Sequence, residues 1–152
     1  MLTRLFIRDF ALIEEVEIEF GTGLNIITGE TGAGKSILLG ALYSILGGQA
    51  SADLVRDGAE KCVVEGLLEF AGDSRVLDHL HQLEVECEDG QLFLRREILK
   101  NGRSRAYVNG NGCPVKTLRQ IGEFTVAVSS RRCGHPNRET GRVESRGGAR
   151  FC

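Results

Sequence analysis

No run in this sequence is apolar for long enough to cross a bilayer as a helix; the longest, around residues 37–46, falls far short of the roughly 20 residues such a span needs. A helical membrane protein is thereby excluded. The opening Met1-Leu2-Thr3-Arg4-Leu5 lacks a secretory pattern before acidic residues begin, so the chain is expected to stay in the cytoplasm. No Cys-x-x-Cys pair occurs among Cys62, Cys87, Cys113, Cys133 and Cys152, which removes the common zinc and dithiol frameworks and leaves free thiols in a reducing compartment. His79 and His81 have no further ligand at a useful spacing; they read as solvated histidines, and no metal ligand is assigned there. Neither an internal repeat nor a heptad run occurs, so the chain carries no coiled coil of its own.

What is present fits one globular domain or part of one: 152 residues, 41% hydrophobic and 26% charged. The net charge of −2 hides an asymmetry. Residues 129–152 hold six arginines against two glutamates, leaving 13 basic and 19 acidic residues in the first 128. An acidic body argues against a wholesale nonspecific grip on nucleic acid.

Along the chain, Leu5 and Ile7 alternate with charged neighbours, and after Arg8-Asp9-Phe10 the residues Val16, Ile18 and Phe20 alternate with Glu15, Glu17 and Glu19. Two strands with one solvated face are predicted, the three glutamates serving solubility rather than acid–base chemistry. Gly21-Thr22-Gly23 makes a turn, and Leu24-Asn25-Ile26-Ile27-Thr28 reads as a short strand buried in a sheet. Ile37, Leu38, Ala41, Leu42, Ile45 and Leu46 line one face of a helix over residues 35–46, stopped by Gly47-Gly48. Strands are predicted over 62–70 and 91–99 with a short helix over 74–83 between them. Asn101-Gly102 signals a hairpin into a strand over 104–108, and a turn at 109–112 leads to a helix over 115–124. Beyond residue 129 no core face can be drawn.

The chemistry concentrates in Gly29-Glu30-Thr31-Gly32-Ala33-Gly34-Lys35-Ser36, which fits G-x-x-x-x-G-K-[ST] and lies between the predicted buried strand and the helix. Glycines let the backbone turn inward so that consecutive N–H groups point at phosphate oxygens, and the helix start adds its partial positive charge at the same spot. Lys35 would reach the β- and γ-phosphates, and the Ser36 hydroxyl would coordinate the bridging Mg²⁺. A nucleoside triphosphate with Mg²⁺ is the expected ligand. Tyr43 and Ser44 have no visible base, so a nucleophilic hydrolase finds no support.

The residues 5–13, Leu5-Phe6-Ile7-Arg8-Asp9-Phe10-Ala11-Leu12-Ile13, followed by Gly23-Leu24-Asn25-Ile26-Ile27-Thr28 and the phosphate loop, resemble the N-terminus of the RecN family of bacterial DNA repair proteins. The wider group is the SMC-like ATPases, within which the wording Glu30-Thr31-Gly32-Ala33-Gly34-Lys35-Ser36 favours RecN. Leu94-Arg95-Arg96-Glu97-Ile98, then 102–110 and 118–124, are similar to the same family, so the resemblance covers residues 1–124. It implies an ABC-type ATPase head, split in sequence by a long antiparallel coiled coil. The two halves of such a head refold together, and heads pair around ATP during recombinational repair of double-strand breaks, in the cytoplasm and on the nucleoid. Arg8 approaches the nucleotide base in such head folds.

Two departures stand against that resemblance. After Phe124 the family continues into a motif rich in Asp, His, Gly and Gln, whereas this chain reads Thr125-Val126-Ala127-Val128-Ser129-Ser130-Arg131-Arg132-Cys133, as translation out of frame would produce; a functional basic tail is the competing reading. No Leu-Ser-Gly-Gly-type signature and no apolar strand ending in Asp-Glu is present either, so hydrolysis lacks its catalytic half.

Arg95, Arg96, Lys100, Arg103 and Arg105 cluster about the hairpin tip, with Arg95, Arg96, Arg103 and Arg105 the candidate DNA contacts. The competing and preferred reading is a solvated hairpin, since only Tyr107 offers an aromatic platform.

The expected fold class is α/β: a P-loop NTPase, the N-terminal part of an ABC/SMC-type head with antiparallel edge strands, over residues 1–124, followed by a disordered or aberrant basic tail over 125–152. The expected function is ATP binding in DNA repair without turnover by the isolated chain. Another SMC- or RecF-like ATPase, a non-functional truncated fragment, and a small-molecule kinase are the alternatives; the opening strand pair and the later hairpin fit a kinase poorly.

Overall fold

A computed structural model of the chain describes residues 1–28, 32–70, 74–87 and 89–125. The expected tail over 125–152 falls outside them from residue 126 onward. Among the described residues six strands form one antiparallel sheet in the order β2-β1-β3-β4-β5-β6: β1 (Leu2–Phe10), β2 (Ile13–Glu19), β3 (Lys61–Glu69), β4 (Gln91–Leu99), β5 (Ser104–Val108) and β6 (Asn111–Cys113). Three helices accompany it among the described residues, α1 (Gly32–Ile45), α2 (Ser74–Gln82) and α3 (Val115–Thr125), with a 3-10 turn at Ala52–Leu54.

The period of two sorts each strand's side chains. Leu5 and Ile7 of β1, Cys62 and Val64 of β3, and Leu92, Leu94 and Ile98 of β4 point to one side, where Leu38, Ala41, Leu42 and Ile45 of α1 and Leu118 and Ile121 of α3 close the core. On the other side the rows alternate in charge. Arg4 meets Glu17 at 3.4 Å, Arg95 meets Glu65 at 3.1 Å and Glu97 at 2.6 Å, and Lys61 reaches the same Glu97 oxygen at 3.0 Å. Glu15, Glu17 and Glu19 stand opposite Arg8, Phe6 and Arg4 on the edge strand, exposed as their spacing predicts.

Two elements differ from the sequence expectation. Residues 24–28 form no strand, and Leu24 and Ile26 are 70% and 74% exposed. A strand needs ladder partners, and a run apolar on both faces needs cover on both; no described strand lies beside this one to supply either. β6 is the second difference: Asn109-Gly110 alone makes the tight turn, and Asn111–Cys113 pairs back onto β5. The thiols of Cys62, Cys87 and Cys113 are free, and burial pushes the Cys62 thiol up to about 11. Among the described residues no helix is long and apolar enough to cross a membrane, and no cluster of His, Cys, Asp or Glu suits a metal. His81 is exposed, whereas His79 is half-buried and stacks on Phe124, ring centres 4.3 Å apart, joining α2 to α3.

Candidate nucleotide site

Helix α1 begins at Gly32, three residues before the apolar periodicity places it, because the face that signals the helix starts only at Ile37. Gly29, Glu30 and Thr31 of the phosphate motif lie outside the described residues. Gly32 and Ala33 have helical backbone, and Gly34, Lys35 and Ser36 follow on the exposed first turns. The arrangement suits an anion in three respects. The first helical N–H groups have no intrahelical acceptor, no acidic residue occupies the first turn, and a Cβ at Gly34 would meet nothing within 4 Å. A phosphate group with its metal therefore fits the residues present, and Lys35 and Ser36 are the side chains that the motif would turn to it.

The sheet fixes the direction of that helix. Leu38, Ala41, Leu42 and Ile45 are buried toward the sheet, and the Phe10 ring lies 3.8 Å from where a Cβ on Gly40 would stand. Phe10 is held in turn: Ala11 N–H donates to the Leu54 carbonyl at 2.8 Å, Arg56 N–H donates to the Asp9 carbonyl at 2.8 Å, and Phe10 bridges Val55. At its far end α1 is tied to α3, where Arg119 donates to the Gly47 carbonyl from Nη2 at 3.1 Å. Sequence reasoning missed this tie; the Gly47-Gly48 stop signal marks the place but not the partner.

The remaining candidates are spread over the fold. Arg8 is exposed, its guanidinium 5.9 Å from the centre of the Phe6 ring, on the sheet face opposite α1. Arg103 and Arg105 are exposed at the β4–β5 hairpin, where Arg103 N–H donates to Asn101 Oδ1 at 3.0 Å. Arg95 is engaged by Glu65 and Glu97 and lies over the Tyr107 ring. Arg96 corrects the proposed DNA cluster. Adjacent strand residues face opposite sides, so Arg96 turns inward and is 3% exposed, out of reach of a phosphate backbone. Its phase with Leu92, Leu94 and Ile98 was the available signal.

Comparison with known proteins places this geometry. The family model for the AAA domain matches residues 4–130. The chain is 38% identical over 128 residues to the DNA repair protein RecN of Halalkalibacterium halodurans, an alignment covering 84% of this chain and 23% of that protein. Among solved structures it is similar to an SMC ATPase studied for ATP-driven dimerization and DNA-stimulated activation, with a TM-score of 0.65, 22% identity, and 80% and 77% of the two chains covered. It is also similar to the recombination mediator RecF with ATP, at a TM-score of 0.64 and 24% identity over 86% of this chain and 32% of that one. Both likenesses are to the fold. The chain thus spans less than a quarter of the length of the RecN relative it matches.

Proposed function

Because the chain belongs to the AAA domain family, as an N-terminal segment of the RecN/SMC-like ATPase kind, we propose that it binds ATP with Mg²⁺ through Gly29, Glu30, Thr31, Gly32, Ala33, Gly34, Lys35 and Ser36. The observation that carries this reading is the G-x-x-x-x-G-K-S motif running into the exposed first turn of a helix whose opposite face is buried against the sheet. Bound Mg·ATP supplies the phosphoanhydride. The chain's own part is to cradle it: backbone N–H groups of the loop and first turn orient the phosphates, Lys35 balances the β,γ charge, and the Ser36 hydroxyl holds the metal.

The same reading assigns the chain a place in recombinational repair of DNA double-strand breaks in the bacterial cytoplasm and on the nucleoid. There a complementary head half completes the fold, and paired heads act on DNA. Exposed Leu24 and Ile26 ahead of α1, and Leu39 and Tyr43 along it, support this, since they leave apolar surface for further strands and helices of the head to cover. Residues 1–124 are then the head segment, and 125–152 the tail. Without a signature motif or an Asp-Glu strand, nothing in this sequence aligns a water for attack, so the isolated chain holds ATP without turnover. Equilibrium binding of a fluorescent ATP analogue alongside a phosphate-release assay tests both halves: saturable, Mg²⁺-dependent binding with no release is expected, and steady release would contradict the reading.

A further inference from the structure

Arg96 shares the inward phase of Leu92, Leu94 and Ile98 on β4, and its guanidinium lies between the sheet and the helices. Nη2 donates to Ser104 Oγ at 3.0 Å, while Nε and Nη1 have no acceptor among the described residues. Its neighbours across the sheet are Val64 and Ala106, with Cys113 beyond Ala106, so no carboxylate stands in its row. Glu65 and Glu97 belong to the opposite face, where Arg95 and Lys61 engage them. The one charged group of α3 that acts on Arg96 is a second guanidinium, that of Arg119, which donates to Gly47. Burial pushes Arg96 below its ordinary value and Arg119 pushes the same way, opposed only by Cys113. An ionised group removed from water with unmade donors and no counter-charge is among the costliest arrangements a core can hold.

We infer that the interior at Arg96 binds a small monovalent inorganic anion of halide size, accepting from the unpartnered N–H groups of Arg96, with Arg119 as a second positive charge. Depth sets the size. At 3% exposure a phosphate ester or a side chain from another molecule has no path in, whereas a halide enters through thermal opening of the layer. Such an ion would join β4 and β5 to the end of α1 and to α3, stiffening the far end of the helix that starts at the phosphate loop. This inference stands apart from the nucleotide reading.

Thermal unfolding of the whole chain in sodium chloride and in sodium gluconate, at equal ionic strength and pH, tests it beside Arg96→Met. The wild-type midpoint is expected to be higher in chloride by roughly 5 °C, and the difference to vanish in Arg96→Met. An equal chloride effect in both proteins, or none in the wild type, overturns the inference. Should Arg96→Met not fold, crystals of the wild-type chain grown in bromide decide: an anomalous peak within hydrogen-bond distance of Arg96 is expected, and its absence overturns the site.

Discussion

The guanidinium of Arg119 on α3 donates to the carbonyl oxygen of Gly47, just past the C-terminal end of α1. A cation there offsets the partial negative end of the helix dipole and satisfies a carbonyl that has no intrahelical partner. The backbones meet as closely as the side chains do. A Cβ on Gly47 would stand 2.5 Å from the Arg119 nitrogen, and one on Gly122 would stand 3.0 Å from the Leu46 Cβ. Glycine thus permits the close approach of the C-terminal end of α1 to α3.

Gly47→Ala is therefore expected to cost more than its backbone conformation alone. Gly58 is the comparison: its φ of +88° resembles the +78° of Gly47, but a Cβ there meets nothing within 4 Å. Each alanine carries a left-handed penalty of roughly 1–2 kcal/mol. Gly47→Ala adds the clash with Arg119, for about 1–3 kcal/mol more. Urea midpoints of the two variants check this, and equal midpoints would contradict the close approach.

Glu97 is 5% exposed and receives both Lys61 and Arg95 on one oxygen. Burial alone would raise its carboxyl; the hydrogen bonds from Lys61 and Arg95 and their charges outweigh it and hold the group below its ordinary 4.5. A depressed folded value means the stabilisation is present above the unfolded value and is lost as pH falls through the folded one. Glu97→Gln should cost about 1–3 kcal/mol near neutrality. That difference should shrink progressively below pH 4.5, as read by urea unfolding across pH.

Residues 24–28 supply a third test. With Ile26 exposed, Ile26→Ser should change stability by less than about 0.5 kcal/mol, whereas Ile45→Ala, in the core at 2% exposure, should cost about 2–5 kcal/mol. Denaturation of the two variants separates them. A large loss in Ile26→Ser would mean that the segment is buried in a strand after all.

These cases show where the sequence was legible. β4 and β5 match their predicted spans because Leu92, Leu94 and Ile98 on the one and Ala106 and Val108 on the other keep a period of two, and Asn101-Gly102 supplies the hairpin between them. Glu15, Glu17 and Glu19 were placed by period alone. Leu24-Asn25-Ile26-Ile27-Thr28 misled because an apolar run signals burial without saying what buries it, and no described strand lies alongside. Arg96 was grouped with Arg95 by nearness in sequence, though adjacent residues of a strand face apart. At the candidate site, the motif identified the loop and helix, but the Arg119–Gly47 tie joins residues 72 apart and leaves no local pattern.

Thermal unfolding of the chain with and without Mg·ATP, beside Lys35→Ala, tests the central claim most directly. The account predicts a midpoint that rises with ATP concentration in the wild type and stays fixed in Lys35→Ala, since a ligand that binds only the folded state stabilises it by mass action. A midpoint indifferent to ATP in the wild type, or one that rises equally in Lys35→Ala, would contradict a phosphate loop assembled around Lys35.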